Sequence, residues 1–285
     1  MKSLKLTSLC LLLLLTSGLL QMVYDQNRNY FSEKEIFLSL PTAQNLKIMS
    51  LGFQNFIADI IYIWAIQFYS NYHIKNRFDY IEHVFNLITD LSPLYKDVYH
   101  IGSIIMSQEK GDIEMAIRLL LKGARNIPDE YFFYFDAGFH ALWDLGQYNR
   151  ARELFEKALQ VPSIPPKRRQ MIKNMVAHTL FYANDLQASF NEWLKIYQSG
   201  DSLPHQKKVA RTRLYTIKAE LDIGRIQKAL QQYQERYHHH PPSLRALVQN
   251  GFLSGIPRDF FGNEYIYDPR TGQVRSSRVF QIYRR

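Results

Sequence analysis

Three consecutive histidines, His238, His239 and His240, are the densest run of metal-ligating side chains in the chain. Imidazole nitrogens bind transition metals and carry protons near neutral pH. Successive side chains on a regular helix diverge, however, so three in a row cannot close on one ion. At the end of a helix they suit the negative pole of its dipole instead. The single cysteine, Cys10, has no partner for an internal disulfide, and no Cys/His spacing suits zinc. Carboxylate pairs such as Asp129-Glu130 and Glu153/Glu156 fall where solvated helix faces are expected. There is no Gly-x-Ser-x-Gly, no phosphate-binding glycine loop and no His-Glu-x-x-His. The expectation is a chain with no catalytic residues, no metal and no cofactor, which acts by binding.

The elements that would present a binding surface are written in a repeat. Gly111, Ala116, Leu120, Gly123 and Pro128 are followed by Gly146, Ala151, Phe155, Ala158 and Pro162. The first four pairs are each 35 apart (146 − 111 for the glycines), and the proline slips by one. Glycine allows a tight turn between two helices, and small residues let those helices approach closely. The large apolar residue plugs the space between hairpins, and proline closes the second helix because it has no N–H to donate. This pattern resembles the tetratricopeptide repeat, whose hairpins stack into a solenoid with a groove for partners.

The phase continues on both sides. Phe85 and Pro93 stand 35 before Leu120 and Pro128, making residues from about Ile57 to Pro93 an earlier unit. Downstream, Asn184, Ser189 and Trp193 take the turn, small and plug positions, and Gly224, Ala229, Tyr233 and Pro241 restore the pattern. The spacing predicts about five hairpins, with longer turns at Ser163 to Pro166 and Ser199 to Pro204. The fold class expected is all-α, a repeat solenoid over residues 51–241, and 46% hydrophobic content suits such a body.

Lys2 and Lys5 precede an apolar run from Leu6 to Val23. Eighteen helical residues would span about 27 Å, close to the hydrocarbon thickness of a bilayer. Residues 1–24 therefore read as an uncleaved membrane anchor, with a cleaved signal as the alternative because Ser17 and Gly18 are small. A lipoprotein signal fits poorly, since Cys10 precedes most of the apolar stretch. The lysines place the short end in the cytoplasm. The expected location is the bacterial inner membrane, single-pass, with the body in the periplasm or outside. Residues 25–50 form a linker. A second apolar stretch, Leu51 to Tyr69, contains Asp59 near its middle, which is costly inside a bilayer. It reads as the first helix of the first hairpin, with Phe53, Phe56, Ile57, Ile60, Trp64 and Phe68 as its buried stripe.

Residues 242–285 change character. A short helix at Leu244 to Val248 precedes Asn250-Gly251, Ile256-Pro257 and Phe261-Gly262, then Tyr265-Ile266-Tyr267, a turn and Val274. Two short runs across a glycine turn predict a β-hairpin, making a small α+β tail. Pro242, Leu247, Val248, Gly251, Phe252, Leu253, Pro257, Asp259, Gly262, Tyr265 and Tyr267 match the C-terminal region of the major pseudopilin of type II secretion systems. The tail resembles that region over about 37 residues, with Phe260 for its second proline and Phe261 for its tryptophan. The resemblance implies a docking or capping fold. It does not extend to the pilin's membrane-helix glutamate, which Leu6 to Val23 lacks.

The formal net charge is +9, with basic groups at Lys167, Arg168, Arg169 and Lys173, at Lys207, Lys208, Arg211 and Arg213, and at Arg275, Arg278, Arg284 and Arg285. An outward-facing body would offer them to an acidic partner, an acidic polymer or anionic lipid rather than to nucleic acid. Aromatics number 19 Tyr, 18 Phe and 3 Trp, and five consecutive ones, Tyr131 to Phe135, cannot all enter one helix interface. Asp59, Tyr62, Trp64, Tyr131 and Tyr134 are the candidate partner-binding residues. The function expected is a non-catalytic, membrane-anchored scaffold that binds protein or peptide partners of a secretion, pilus-like or transport machine. The alternative is an accessory subunit that positions a polysaccharide- or lipid-processing enzyme.

Overall fold

A computed structural model describes residues 15–23, 40–74, 76–200 and 202–277. Lys2, Lys5, Cys10, residues 6–14 of the apolar run, most of the linker, and Arg278, Arg284 and Arg285 lie outside them. Among the described residues the fold is mostly helical, with one two-stranded sheet. Residues 15–23, the described part of the apolar run, are helical. Among the described residues, no helix is long and apolar enough to cross a membrane.

By internal contacts the chain forms two compact units, one ending at Tyr99 and one starting at His100. The first contains α1 (Ala43–Met49), α2 (Gln54–Tyr69) and α3 (Ile81–Leu91). Thr42 starts α1 by accepting a bond from Asn45 N at 3.3 Å. Helix α3 is the most deeply embedded, with Val84, Phe85, Ile88 and Leu91 fully buried, and Tyr69 of α2 stacks on Phe85 at 6.0 Å. The face that α2 buries is Ala58, Ile61, Ala65 and Tyr69. That corrects the expected stripe, because Phe53, Phe56 and Ile60 are exposed while Trp64 and Phe68 are only half-buried. Two alanines on the contact face let α2 approach α3 closely, and the bulky residues are left on the other side.

Helix α4 (Lys96–Ile104) crosses the division and continues as a π-helical turn, Ile105–Glu109. The second unit goes on through α5 (Ile113–Asn126), α6 (Tyr131–Trp143), α7 (Tyr148–Gln160), α8 (Pro166–Tyr182), α9 (Leu186–Gln198) and α10 (Pro204–Tyr237). From α5 to α10 each helix packs on the next. The turns carry the residues that the spacing predicts: Gly111, Gly146 and Asn184 all have positive φ, at 77°, 64° and 63°. Asp112 and Asp185 follow two of them and cap α5 and α9 by accepting from Met115 N and Ala188 N. Ala116, Leu120, Gly123, Ala151, Phe155, Ala158, Ser189 and Trp193 are all buried. Helices α6 and α7 touch so closely that a Cβ on Gly138 would lie 2.8 Å from the Phe155 ring. Two bonds recur near the repeat period, Arg150 Nη1 to Glu114 at 2.6 Å and Ser163 Oγ to the Asp129 carbonyl at 2.5 Å.

The last predicted hairpin is absent. Gly224 lies inside α10, which runs unbroken for 34 residues. Arg225 follows it, and a cation is a poor start for a new helix. Ala229 and Tyr233 are buried as expected, but against the tail rather than against a partner helix. The tail consists of α11 (Leu244–Gln249) and the antiparallel strands β1 (Ile266–Asp268) and β2 (Gln273–Arg275), with Tyr267 opposite Val274. Leu244, Leu247, Tyr265 and Val274 close a core with Ile226, Ala229, Leu230 and Tyr233 of α10.

Polar bonds fix the tail on the helix. Tyr265 Oη donates to the buried Asp222 at 2.8 Å, and Lys218 reaches the same carboxylate at 2.7 Å. Asp259 holds the turn at Gly262 (φ 84°) by accepting from Phe261 N, Asn263 N and Ser277 Oγ. Burial pushes the Asp259 carboxyl up, and the bonds from Asn263, Phe261 and Ser277 outweigh it and hold it below the usual range.

Candidate functional site

The aromatic run that opens α6 is sorted by the helix period. Glu130 starts the helix by accepting from Phe132 N at 3.2 Å. Phe133, Ala137, Gly138 and Ala141 are buried. Phe132, Phe135, Phe139 and Trp143 follow at i+3 and i+4 spacing and form a continuous ladder, with ring centroids 5.8, 6.4 and 6.3 Å apart. Phe139 and Trp143 are 41% and 40% exposed, which makes the ladder accessible from outside.

The ladder crosses to the next helix pair. Trp143 meets Tyr182 of α8 edge-on at 5.8 Å, and Tyr182 stacks with Tyr148 at 5.8 Å and with His178 at 6.4 Å. His178 in turn stands edge-on to the buried Trp193 at 5.1 Å. Burial, reinforced by the Arg213 guanidinium of α10, lowers the His178 pKa to about 4, so the ring is neutral. Arg213 is itself lowered by burial, which Tyr182 opposes. Rings on α6 and α8 therefore run up to a half-buried cation on α10.

Titratable groups border the ladder. His100 stacks on Phe133 at 4.8 Å with its Nδ1 3.9 Å from Asp136. Burial raises the Asp136 carboxyl to about 6, against the opposing pull of His140. His140 Nδ1 is 2.7 Å from Asp144. Among the described residues, no group of three or more His, Cys, Asp and Glu side chains could hold a metal ion.

The beginnings of α8 and α10 are basic. Lys167, Arg168, Met171, Asn174, His205 and Val209 line a cavity of about 420 Å³. A second cavity of about 530 Å³ has Tyr197, Lys207, Lys208 and Arg211 in its wall. Among the described residues, neither wall contains a carboxylate. Both helices start with proline at the first position and carry no acid in the first turn. Arg169 belongs to the scaffold instead, since its guanidinium donates to the carbonyls of Leu159 and Val161 at the end of α7.

The residues singled out in the sequence fall in separate places. Asp59 and Tyr62 converge on Tyr95 in the first unit, Asp59 by a hydrogen bond and Tyr62 edge-on at 5.4 Å. Trp64 packs on Phe68 at 5.8 Å. Tyr131 and Tyr134 are half-buried in the second unit beside the ladder. His238, His239 and His240 lie beyond the end of α10 and diverge: His239 turns to Tyr233, while the His240 ring covers Gly272. Phe139, Trp143 and Tyr182 were not singled out as binding residues, and Arg213 was named only within a basic cluster. The i, i+3, i+4 spacing of aromatics beyond Phe135 is the signal that could have found the first two.

Chemically, these groups offer flat aromatic faces, a half-buried cation and a basic end at the starts of α8 and α10. Such groups hold a ligand by stacking, cation–π contact and charge. No protein-family model matches this chain, and no curated protein is found similar to it.

Proposed function

We propose that this chain is a non-catalytic scaffold whose α6–α8–α10 surface receives a segment of a protein partner. The helix pairs α4/α5, α6/α7 and α8/α9 are read as tetratricopeptide-like hairpins, so that α6, α8 and α10 line the partner groove of a solenoid. The apolar run at Leu6 to Val23 anchors the chain in the inner membrane of a bacterium with its body on the outer side, where it assists a secretion, pilus-like or transport machine. The tail, with its pseudopilin-like pattern, caps the last long helix and offers a second docking surface.

One observation carries this reading: α8 presents Lys167, Met171 and Asn174 of the basic wall and His178 and Tyr182 of the ring ladder at intervals of four, three, four and four residues, on one helix face. A helix facing only water has little use for Phe139 and Trp143 at its surface, and stability alone would favour acids in the first turns of α8 and α10. The test compares proteins co-purified from detergent-solubilised membranes with the full chain and with two variants. Trp143→Ala and the pair Lys167→Glu/Arg168→Glu should each lower recovery of the principal partner by about tenfold, as the loss of a ring anchor or of a charge contact does. Unchanged recovery with both would contradict the assignment of this surface.

A further inference from the structure

A different surface, in the first unit, carries a second inference, independent of the partner-binding reading. Phe53, Phe56, Ile60 and Ile63 recur at intervals of three, four and three residues, which places them on one face of α2. All four are exposed, Phe53 by 70% and Phe56 by 61%. The opposite face, built around Ala58 and Ala65, is the one that packs inward. With Ile61 and Tyr69 also buried, the helix is apolar on its exposed face as well as on its inner one, unlike a helix bathed in water.

The preceding turn extends the same surface. Met49 is exposed, and Leu51 is 87% exposed at φ 50°, in the left-handed region that favours glycine. The backbone takes up an unfavourable conformation at the point where it projects a leucine outward. Charge is sorted as well. Lys47, next to the turn, is exposed. Asp59, the one acid of α2, gives its carboxylate to Tyr95. At the far end of α2, exposed Tyr72 has the Arg77 guanidinium 4.4 Å from its ring. Apolar bulk with lysine, arginine and tyrosine at its margins is the pattern of a helix lying in a lipid headgroup boundary.

We propose that the α1–α2 turn and the outer face of α2 lie in the surface of the bilayer. Lipid is favoured over a protein occupant because residues 15–23, apolar and exposed at Leu15, Leu19, Leu20, Met22 and Val23, also need an apolar surrounding. One medium covers both surfaces, whereas a partner seated on α2 would leave the earlier segment bare. The helix does not cross. Its 16 residues span about 24 Å, short of the hydrocarbon core, and its inner face is committed to α3.

The test uses the full chain with Cys10→Ser and one fluorophore-bearing cysteine at a time. The chain is reconstituted in vesicles of phosphatidylethanolamine and phosphatidylglycerol that carry nitroxide-labelled lipids. A label at Phe56→Cys should lose fluorescence several-fold more to nitroxides near the headgroups than a label at Lys157→Cys, an exposed position of α7. A label at Leu20→Cys should respond to nitroxides deep in the acyl chains, which reports the anchor separately. Quenching of the Phe56 label by aqueous iodide but not by lipid would overturn the proposal. So would a label reached by neither quencher, since that outcome means protein covers the face. Loss of the Leu20 signal alone would remove the anchor and leave the α2 assignment standing.

Discussion

Single side chains carry two separable demands, close packing and burial of charge. Ala151 is fully buried where α7 meets its neighbours. Ala151→Leu should overpack that site and lower stability by about 1–3 kcal/mol, read as a lower melting temperature of the purified chain. An unchanged melting temperature would mean that the repeat phase around Gly146 is misplaced. His178 tests the second demand. Its pKa falls from 6.5 to about 4 because burial, then Arg213, disfavour the imidazolium. The unfolded chain therefore binds more protons than the folded one between these values, so stability is fully present above about pH 6.5 and is lost as pH falls toward 4. His178→Gln should flatten that limb of the stability profile, checked by denaturation midpoints at pH 4.5 and pH 7.5. A profile that stays steep would place the acid sensitivity elsewhere. The small and plug residues of this packing were legible in the sequence, because Ala116, Ala151 and Phe155 each obey one local rule at a fixed interval. Gly138 was not, since its need for a bare α-carbon arises only where the Phe155 ring of another helix comes to rest.

At the scale of the element, the turn residues divide by their C-terminal neighbours. Gly111 and Asn184 each precede an aspartate that caps the next helix, and Gly146 reaches the same positive φ ahead of Gln147. Gly224 has the same spacing to its alanine and aromatic, yet Arg225 offers no cap and α10 continues through it. The two situations predict opposite signs. Gly224 is exposed and has open space around its α-carbon, so Gly224→Ala should stabilise the chain by about 0.5–1 kcal/mol. Gly146→Ala should destabilise it, because φ 64° is costly for alanine. Destabilisation by both would restore a turn at Gly224. Helix α2 was misread for a related reason. Its apolar residues cover two faces, and periodicity alone does not say whether bulk or closeness decides which face is buried. The tail was more legible: the short helix, the glycine turn and the strand pair stand where the residue pattern put them, while the bond from Tyr265 to Asp222 joins residues too distant in sequence to be paired by inspection.

For the whole molecule, α6, α8 and α10 carry the aromatic and basic groups proposed to meet a partner, and among the described residues the apolar exposure gathers near the N-terminal part. A body in which each helix from α5 to α10 packs on the next should stay folded when its tail is disturbed locally. Gly262 holds φ 84° in the turn organised by Asp259, so Gly262→Val should unfold the hairpin while the helical circular dichroism signal persists. Collapse of the helical signal as well would show that α10 depends on the tail for its existence rather than for its cover. The central claim, that a partner lies along the α6–α8–α10 surface, is met most directly by photo-crosslinking in intact membranes. A photoreactive residue is placed in turn at Phe139, Trp143, Lys167 and Val209 on that surface, and at Glu153 and Lys157 on α7 as controls. All six positions are exposed, so each crosslinker is free to react. One common adduct is expected from the four surface positions and none from the two controls. Adducts from Glu153 and Lys157 alone, or none from any surface position, would contradict that claim.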